Sequence, residues 1–244
     1  MAGYYTDMLA GDRLRACYEL APPATRAYLE AEIEFVLART SPSAFALELG
    51  CGYGRVLRRL LPRVRALAGI DTSLRSLRAA RNFAGPGSSL HLLAMDAARM
   101  AFRDHSFDLT FCIQNGISAF AVDPLDLFRE AVRVTRPGGT VLFSTYSDRF
   151  WPDRLEWFEA QAAHGLIGAI DYSATGNGVI ACRDGFRSMT LTAGDFARLA
   201  SALGLVPAMA EVGGSSLFCE VVVPGEDAGA RAPVEPPQRG GPSP

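Results

Sequence analysis

Residues 44–147 alternate short apolar runs with longer segments of helical periodicity, and this alternation limits the fold more than any other feature of the chain. The apolar runs include AFALELG, ALAGID and FDLTFCIQ, and the segments between them, such as SLRSLRAARNF, repeat apolar residues at helical spacing. Strands that alternate with helices form parallel βαβ units. The sequence therefore predicts an α/β fold with a doubly wound, mostly parallel, seven-stranded sheet, whose last two strands, VPAMAEV and SLFCEVVVP, form an antiparallel hairpin.

The residue pattern before and after this alternating region is different. We therefore predict that the chain has five parts. They are an N-terminal helical lid (1–40), the core (41–150), a small inserted cap rich in aromatic residues and glycine (151–190), the end of the core (191–224) and a disordered tail rich in proline and glycine (225–244). A helix is expected to begin after Thr192, because Asp195 three residues later completes a capping box.

Charge and cysteine usage exclude several classes of function. The formal net charge is −2, which leaves no basic face for nucleic acid, and no stretch reaches the ~18 apolar residues of a membrane span. The five cysteines are scattered, without a CxxC pair, so neither a zinc site nor a disulfide framework is expected. We expect a cytoplasmic protein that binds neither nucleic acid nor membrane and acts on small molecules.

The stretch LELGCGYGRVLRRL, residues 47–60, places glycines at 50, 52 and 54 directly after the first strand and before a helix. In a doubly wound sheet, ligands bind at this edge, and Asp71 follows Gly50 by 21 residues, close to the ~20-residue offset of an acid that binds ribose hydroxyls. The loop is G-x-G-x-G, and Glu48 precedes it. Because a carboxylate repels a pyrophosphate and attracts a cation, these residues favour a nucleoside ligand with a cationic end over NAD.

Four motifs in this order and spacing resemble those of class I S-adenosylmethionine-dependent methyltransferases, which have a Rossmann-like core. LELGCGYG is similar to the glycine-rich first motif of the family, and GIDTS to its acidic second-strand end. AMDAARMAFRDHSFDLTFC resembles the segment that meets adenine, and EAVRVTRPGGTVLFST the helix, Pro-Gly-Gly turn and fifth strand. The resemblance covers about residues 44–223 and implies an enzyme that uses S-adenosylmethionine to methylate a small molecule.

The resemblance also implies roles for individual residues of this chain. The glycines would let the backbone approach the methionine part of the cofactor, Glu48 would orient its ammonium group, and Asp71 would hold the ribose. The remaining implied cofactor contacts are Cys51 and Tyr53 in the loop, Thr72 beside the adenosine, Asp96 and Ala97 at adenine, and Gln114 and Asn115 beside the methionyl group. The alternative is that the glycines serve strand-to-helix packing and that the aspartates cap turns.

The acceptor site is expected between the lid, the end of the fifth strand and the cap. Tyr5 and Tyr18 are our candidates for aromatic contacts with the sulfonium charge, and His164 and Tyr146 for a catalytic base. Asp148 and Asp153 leave a metal-assisted reaction open without fixing a site, so no metal is predicted. A monomer or homodimer is expected. Two alternatives stay open: a cofactor-binding partner or regulator without activity, and an NAD-type oxidoreductase.

Overall fold

A seven-stranded sheet forms the centre of the protein, which the computed structural model describes for residues 4–85, 89–120 and 122–225. The strand order is β3-β2-β1-β4-β5-β9-β8, with parallel neighbours from β3 to β5 and antiparallel pairing from β5 through β9 to β8. The sheet strands are β1 (Phe45–Leu49), β2 (Ala66–Asp71), β3 (Leu90–Ala94), β4 (Phe107–Cys112), β5 (Thr135–Tyr146), β8 (Ala208–Val212) and β9 (Ser216–Val222). The predicted fold class and the terminal hairpin are confirmed.

Eight helices and a two-stranded ribbon surround the sheet in the described part of the chain. The helices are α1 (Tyr4–Asp7), α2 (Asp12–Glu19), α3 (Pro23–Leu37), α4 (Arg55–Leu60), α5 (Leu74–Ala84), α6 (Pro124–Val134), α7 (Trp151–Ala163) and α8 (Ala193–Ser201). The ribbon pairs β6 (Ile180–Ala181) with β7 (Arg187–Ser188). The predicted capping box opens α8, because the Thr192 hydroxyl accepts from the Asp195 backbone and the Asp195 carboxylate accepts from the Thr192 backbone.

Apolar packing on both faces makes the sheet the core of the molecule. Phe128 of α6 stacks on Phe143 of β5 on one face, and Ile33 and Val36 of α3 pack over Phe111 of β4 on the other. All of these side chains are buried. Because β1 and β4 are covered on both faces, four of the five residues of β1 and four of the six of β4 are apolar, as expected for central parallel strands.

The Pro-Gly-Gly segment before the fifth strand is not the separate turn that we expected. Strand β5 begins at Thr135, directly after α6, and its register with β4 shifts from Phe107↔Thr135 to Leu109↔Thr140. Gly138, at φ +75°, lies in this bulge. The residues between the two registers therefore form an irregularity inside the strand, which lets the helix pass into the strand without a loop.

A third apolar cluster lies beyond the carboxyl ends of the parallel strands and joins the N-terminal layer (α1–α3) to the cap segment (residues 151–190). Trp157 of α7 donates a hydrogen bond to the Cys17 carbonyl at 2.8 Å, and Tyr28 stacks on Phe150. The two segments therefore cover the edge of the sheet where the glycine loop lies. The predicted disordered tail lies outside the described residues, apart from Gly225.

Candidate functional site

One cavity of about 510 Å³ lies between the sheet edge, the N-terminal layer and α7. Its volume is in the range of small-molecule sites. Thirteen of the sixteen predicted site residues line it: Tyr5, Tyr18, Glu48, Gly50, Cys51, Gly52, Tyr53, Asp71, Thr72, Asp96, Gln114, Asn115 and Tyr146. We call the part beside Glu48, Gly50, Asp71 and Asp96 the glycine-loop end, and the part lined by Tyr5, Tyr18, Tyr146, Trp157, Phe158 and Ser188 the aromatic end.

The glycine loop brings its backbone to the cavity wall. Gly50 has φ +70°, and a Cβ built there would lie 2.8 Å from Phe120 Cζ, so only glycine fits without moving that ring. Asp71, the last residue of β2, accepts hydrogen bonds from the backbone N–H groups of Gly52 at 2.9 Å and Ser73 at 2.7 Å. Burial raises the pKa of the Asp71 carboxyl. The carboxylate both holds the loop and faces the cavity.

Opposite charges with unused hydrogen-bonding atoms lie beside this loop. Glu48 is buried at the end of β1 and its Oε2 has no partner among the described residues, while burial raises the pKa of its carboxyl despite the nearby Arg55. The Arg55 Nε and Nη2 atoms also lack partners, and only Nη1 approaches a carboxylate, Glu30, at 3.6 Å. An α-amino acid group, with an ammonium and a carboxylate, would satisfy both side chains.

Of four further residues that we predicted to contact the cofactor, Thr72 and Asp96 line the cavity, and Ala97 and Gly54 do not. Thr72 is exposed, and its hydroxyl lies 2.9 Å from the Thr6 hydroxyl of α1. Asp96 lines the cavity, and its Oδ1 accepts from the Ala98 backbone, so it also stabilises a turn. Ala97 and Gly54 do not line the cavity: Ala97 packs in the core, and a Cβ at Gly54 would lie 3.0 Å from Ala80 Cβ. Gly54 therefore serves the close approach of α4 to α5.

Gln114 and Asn115 follow β4 in the left-handed region, at φ +58° and +57°, which non-glycine residues seldom adopt. Glu32 of α3 is fully buried. The backbone N–H of Gln114 donates both to the Glu32 carboxyl at 2.6 Å and to Ser144 Oγ at 2.8 Å. The Asn115 side chain donates to the Met189 carbonyl and accepts from Thr145. These bonds hold a strained turn at the centre of the cavity wall.

The aromatic end combines rings with few ionisable groups. Tyr18 contacts Tyr53 and Trp157 edge to face, each with ring centroids 5.7 Å apart. Burial raises the pKa of Tyr5 and Tyr18, and raises that of Tyr146 to about 12. A phenol with so high a pKa is a poor base near neutrality. We therefore assign Tyr146 to the wall of the cavity.

His164 does not line the cavity, and our interpretation of it as a base in the cleft is not kept. It caps the C-terminal end of α7, is exposed, and donates from Nδ1 to the Ala160 carbonyl at 2.8 Å. Gln161, one turn earlier, does line the cavity. The helix ends at Ala163, so the imidazole folds back on the last turn instead of following the inner face.

Sequence reasoning missed four residues at or behind the cavity wall, namely Glu32, Arg55, Arg154 and Ser188. Arg55 is the first residue of α4, directly after the glycine loop, and this position in the sequence could have identified it as a site residue. The other three are connected to the site by contacts between residues that are far apart in the sequence. Glu32 contacts Gln114 across 82 residues, Arg154 contacts Ser188 across 34, and Ser188 contacts Asn115 across 73. Within the described ranges, no group of three or more His, Cys, Asp or Glu side chains is placed to hold a metal.

No helix in the part of the chain that the structure describes is long and apolar enough to cross a bilayer. All five cysteines are buried and unpaired.

Comparison with known proteins identifies relatives of this architecture. A family model described as a methyltransferase domain matches residues 47–143. The malonyl-(acyl-carrier protein) O-methyltransferase of Marinomonas sp. (strain MWYL1) is 36% identical over 115 residues, which cover 46% of this chain and 42% of that protein. This chain matches less than half the length of each of its curated relatives.

Solved structures match over more of the chain. The PH0226 protein from Pyrococcus horikoshii OT3 has a TM-score of 0.62 at 21% identity, covering 90% of this chain and 97% of that one. A structure described as the DhpI-SAM-HEP complex has a TM-score of 0.61 at 21% identity, covering 89% and 94%. At these identities the likeness shows a shared fold.

Proposed function

We propose that residues 47–143 form a methyltransferase domain of the class I type that uses S-adenosylmethionine, and that this protein transfers the methyl group of that cofactor to a small-molecule acceptor by in-line displacement. Relatives named for methylation of malonyl-(acyl-carrier protein), a hydroquinone and arsenite support an acceptor outside nucleic acid. We therefore favour a methyltransferase over the alternative of an NAD-type oxidoreductase.

The observation that carries this proposal is the set of unused polar atoms at the glycine-loop end. Glu48 Oε2 would accept from the ammonium of the methionine part, and Arg55 would bind its carboxylate. Asp71 would accept from the ribose hydroxyls, with Thr72 beside the adenosine and Asp96 at the adenine edge. Loop contacts from Gly50, Cys51, Gly52 and Tyr53 complete this assignment.

The chemistry requires positioning more than proton transfer. The bound cofactor supplies a methyl group activated by a sulfonium. Tyr5 and Tyr18 would stabilise a cation at the aromatic end through their ring faces. Gln114 and Asn115, held in their strained turn, would fix the distance between the two ends, and orientation of this kind supplies up to ~7–11 kcal/mol of a barrier.

We further propose that the N-terminal layer is a lid and that residues 151–190 form the cap of the acceptor site, with the boundaries near 40, 150 and 190 still predictions. The five unpaired cysteines support a reducing compartment such as the cytoplasm. A monomer or homodimer remains our expectation, which light scattering at several concentrations tests.

Calorimetric titration with S-adenosylhomocysteine tests the cofactor assignment. We expect the unsubstituted protein to bind it, and Asp71→Asn to weaken binding ~10- to 100-fold, because a charged acceptor of ribose hydroxyls is lost. Asp126→Asn, an exposed site outside the cavity, is the matched control and should bind normally. Absence of binding by the unsubstituted protein would contradict the proposed function.

A further inference from the structure

A buried arginine without a carboxylate partner lies behind the aromatic end. Arg154 of α7 is 1% exposed, and its guanidinium lies 4.4 Å from the centroid of the Tyr146 ring. It donates to the carbonyls of Gly178 and Ser188 and to Ser188 Oγ, each at 2.9 Å, and its Nε has no partner among the described residues. A buried charge is costly unless an opposite charge compensates it.

Ser188 connects this charge to the cavity. Ser188 lines the wall, and its Oγ accepts a hydrogen bond from Arg154 Nη2 at 2.9 Å. A hydroxyl has two acceptor positions and one proton, so the proton remains to be donated. Within the described ranges no protein acceptor takes it. The Ser188 O–H is therefore a donor, polarised by the arginine, that is available to a ligand in the cavity.

A second unused donor lies on the same wall. Gln114 lines the cavity, and its Nε2 is buried without a partner in the described part of the chain. Asn115, by contrast, uses its amide on Ser118, Met189 and Thr145. Two unused donors and one uncompensated positive charge require an acceptor from the ligand, and the best match is an anionic oxygen.

The aromatic end also lacks a base that could remove a proton from a neutral acceptor. The lining carboxylates Glu48, Asp71 and Asp96 all lie at the glycine-loop end. Glu32, which bonds to the Gln114 backbone, does not line the cavity, and its two oxygens are occupied by Ser216 and Gln114. Burial leaves Tyr146 with a pKa of about 12. The nucleophile must therefore enter already ionised or with a free lone pair.

We propose that the methyl acceptor is a small carboxylate, methylated on its own oxygen, which Ser188 and Gln114 bind and the charge of Arg154 stabilises. This proposal rests on the proposed function. The carboxylate oxygen forms a bond to the methyl carbon as the carbon–sulfur bond breaks, and the bonding electron pair stays on sulfur. No proton moves, so no base is needed. The product is a neutral ester, which loses its attraction to Arg154 and leaves.

The charge of the site favours a carboxylate over a phosphate or phosphonate. Arg154 is the buried cation of the aromatic end, and the other unused donors there are neutral. Methyl transfer removes the sulfonium charge, so a carboxylate becomes a neutral ester, whereas a phosphonate dianion becomes a monoanion that Arg154 would retain in a site walled by Tyr146, Trp157 and Phe158.

Transfer of a labelled methyl group tests the proposal directly. The unsubstituted protein is incubated with labelled S-adenosylmethionine and a panel of aryl and short alkyl carboxylates, the matching carboxamides, amines and phenols, and phenylphosphonate. We expect label on carboxylates, in a product that mild base hydrolyses to labelled methanol. Label on a carboxamide, amine, phenol or phosphonate in preference to the carboxylates overturns the proposal. If the homocysteine product binds but no carboxylate is methylated, the proposal fails while the proposed cofactor assignment stands.

Substitution of Ser188 tests the residues. Ser188→Ala removes the available hydroxyl and leaves both backbone carbonyl contacts of Arg154 intact. We expect KM for the carboxylate to rise ~10- to 100-fold, with unchanged affinity for S-adenosylhomocysteine. Ser118→Ala is the control, because Ser118 also bonds to Asn115 but does not line the cavity, and its KM should not change. An unchanged KM in Ser188→Ala, or an equal rise in both variants, overturns the assignment.

Discussion

Single residues at the glycine-loop end act through steric space and charge. Gly50 leaves no room for a Cβ against Phe120, and Asp71 holds the Gly52 backbone. Glu48 Oε2 and the Nε and Nη2 atoms of Arg55 have no hydrogen-bond partner among the described residues. These features separate three effects that mutation can measure, namely the shape of the loop, recognition of the ribose and recognition of the amino-acid end.

Gly50→Ala should weaken binding of S-adenosylhomocysteine more than tenfold, because a methyl group 2.8 Å from Phe120 Cζ displaces a ring of the cavity wall. Gly138→Ala is the matched control, since it has φ +75° and open space around its Cβ position. Both variants should lose ~1–2 kcal/mol of unfolding free energy through the left-handed backbone. Calorimetry separates them, and equal affinity in the two variants would contradict the steric argument.

Arg55→Ala should weaken binding of S-adenosylhomocysteine ~10- to 100-fold and leave binding of 5′-methylthioadenosine nearly unchanged, because the second ligand lacks the amino-acid carboxylate. Arg58→Ala controls for loss of a cation from the same helix, since Arg58 lies over Phe83 outside the cavity. Parallel titrations with the two ligands give the result. An equal loss for both ligands would place Arg55 elsewhere than at the carboxylate.

At the scale of elements, α2 is held to the cap segment by contacts on the far side of the cavity. Arg13 donates to the carbonyls of Leu166 at 3.1 Å and Gly165 at 2.5 Å, and Trp157 donates to the Cys17 carbonyl. On the other side, Ser76 of α5 accepts from the Gly11 backbone. These contacts fix the helix between the cap segment and α5.

Arg13→Ala should raise the rate of amide hydrogen exchange in residues 12–19 about tenfold, because two hydrogen bonds that together contribute ~1–2 kcal/mol against local opening are lost. Arg15→Ala is the control in the same helix, since Arg15 pairs with Glu19 in an exposed ion pair. Exchange followed by mass spectrometry measures the difference. Similar exchange in both variants would show that the hydrogen bonds of Arg13 do not stabilise the helix.

At the scale of the whole molecule, Glu32 ties the N-terminal layer to the sheet. Its carboxylate accepts from Gln114 after β4 and from Ser216 at the start of β9, and burial raises its pKa from the usual 4.5 to about 7. The native state keeps this proton to about pH 7, whereas the unfolded chain releases it near 4.5. The contribution of Glu32 to stability is therefore full below about pH 4.5 and is lost as pH rises through 7.

Glu32→Gln should flatten the fall in unfolding free energy between pH 5 and pH 8, since on the order of 3 kcal/mol of that fall comes from ionisation of Glu32. Gln can accept from Gln114 and donate to Ser216, so the contacts survive. Glu34→Gln, an exposed site on the same helix, should keep the dependence of the unsubstituted protein. Thermal unfolding across this pH range measures both, and parallel curves would rule out a buried titrating Glu32.

The sequence by itself determined the sheet and the glycine-loop end. The periodicity of apolar residues identifies strands and helices from nearby positions in the sequence. Because the carboxyl ends of parallel strands lie at the same edge of the sheet, Gly50, Asp71, Asp96 and Gln114, which follow or end such strands, lie together there. Successive members of this set are 18 to 25 residues apart in the sequence, so the strand that carries each one follows from the local pattern.

Only the tertiary structure decided the aromatic end. The phase of α7 and the ribbon at Ser188 depend on how distant segments pack, so Arg154 meets Ser188 and His164 turns away. Likewise, Glu32 reaches Gln114 across 82 residues because α3 crosses the sheet there. The sequence does not show whether a charged side chain is buried or exposed. Only the packing of distant segments determines which carboxylates and arginines are removed from water.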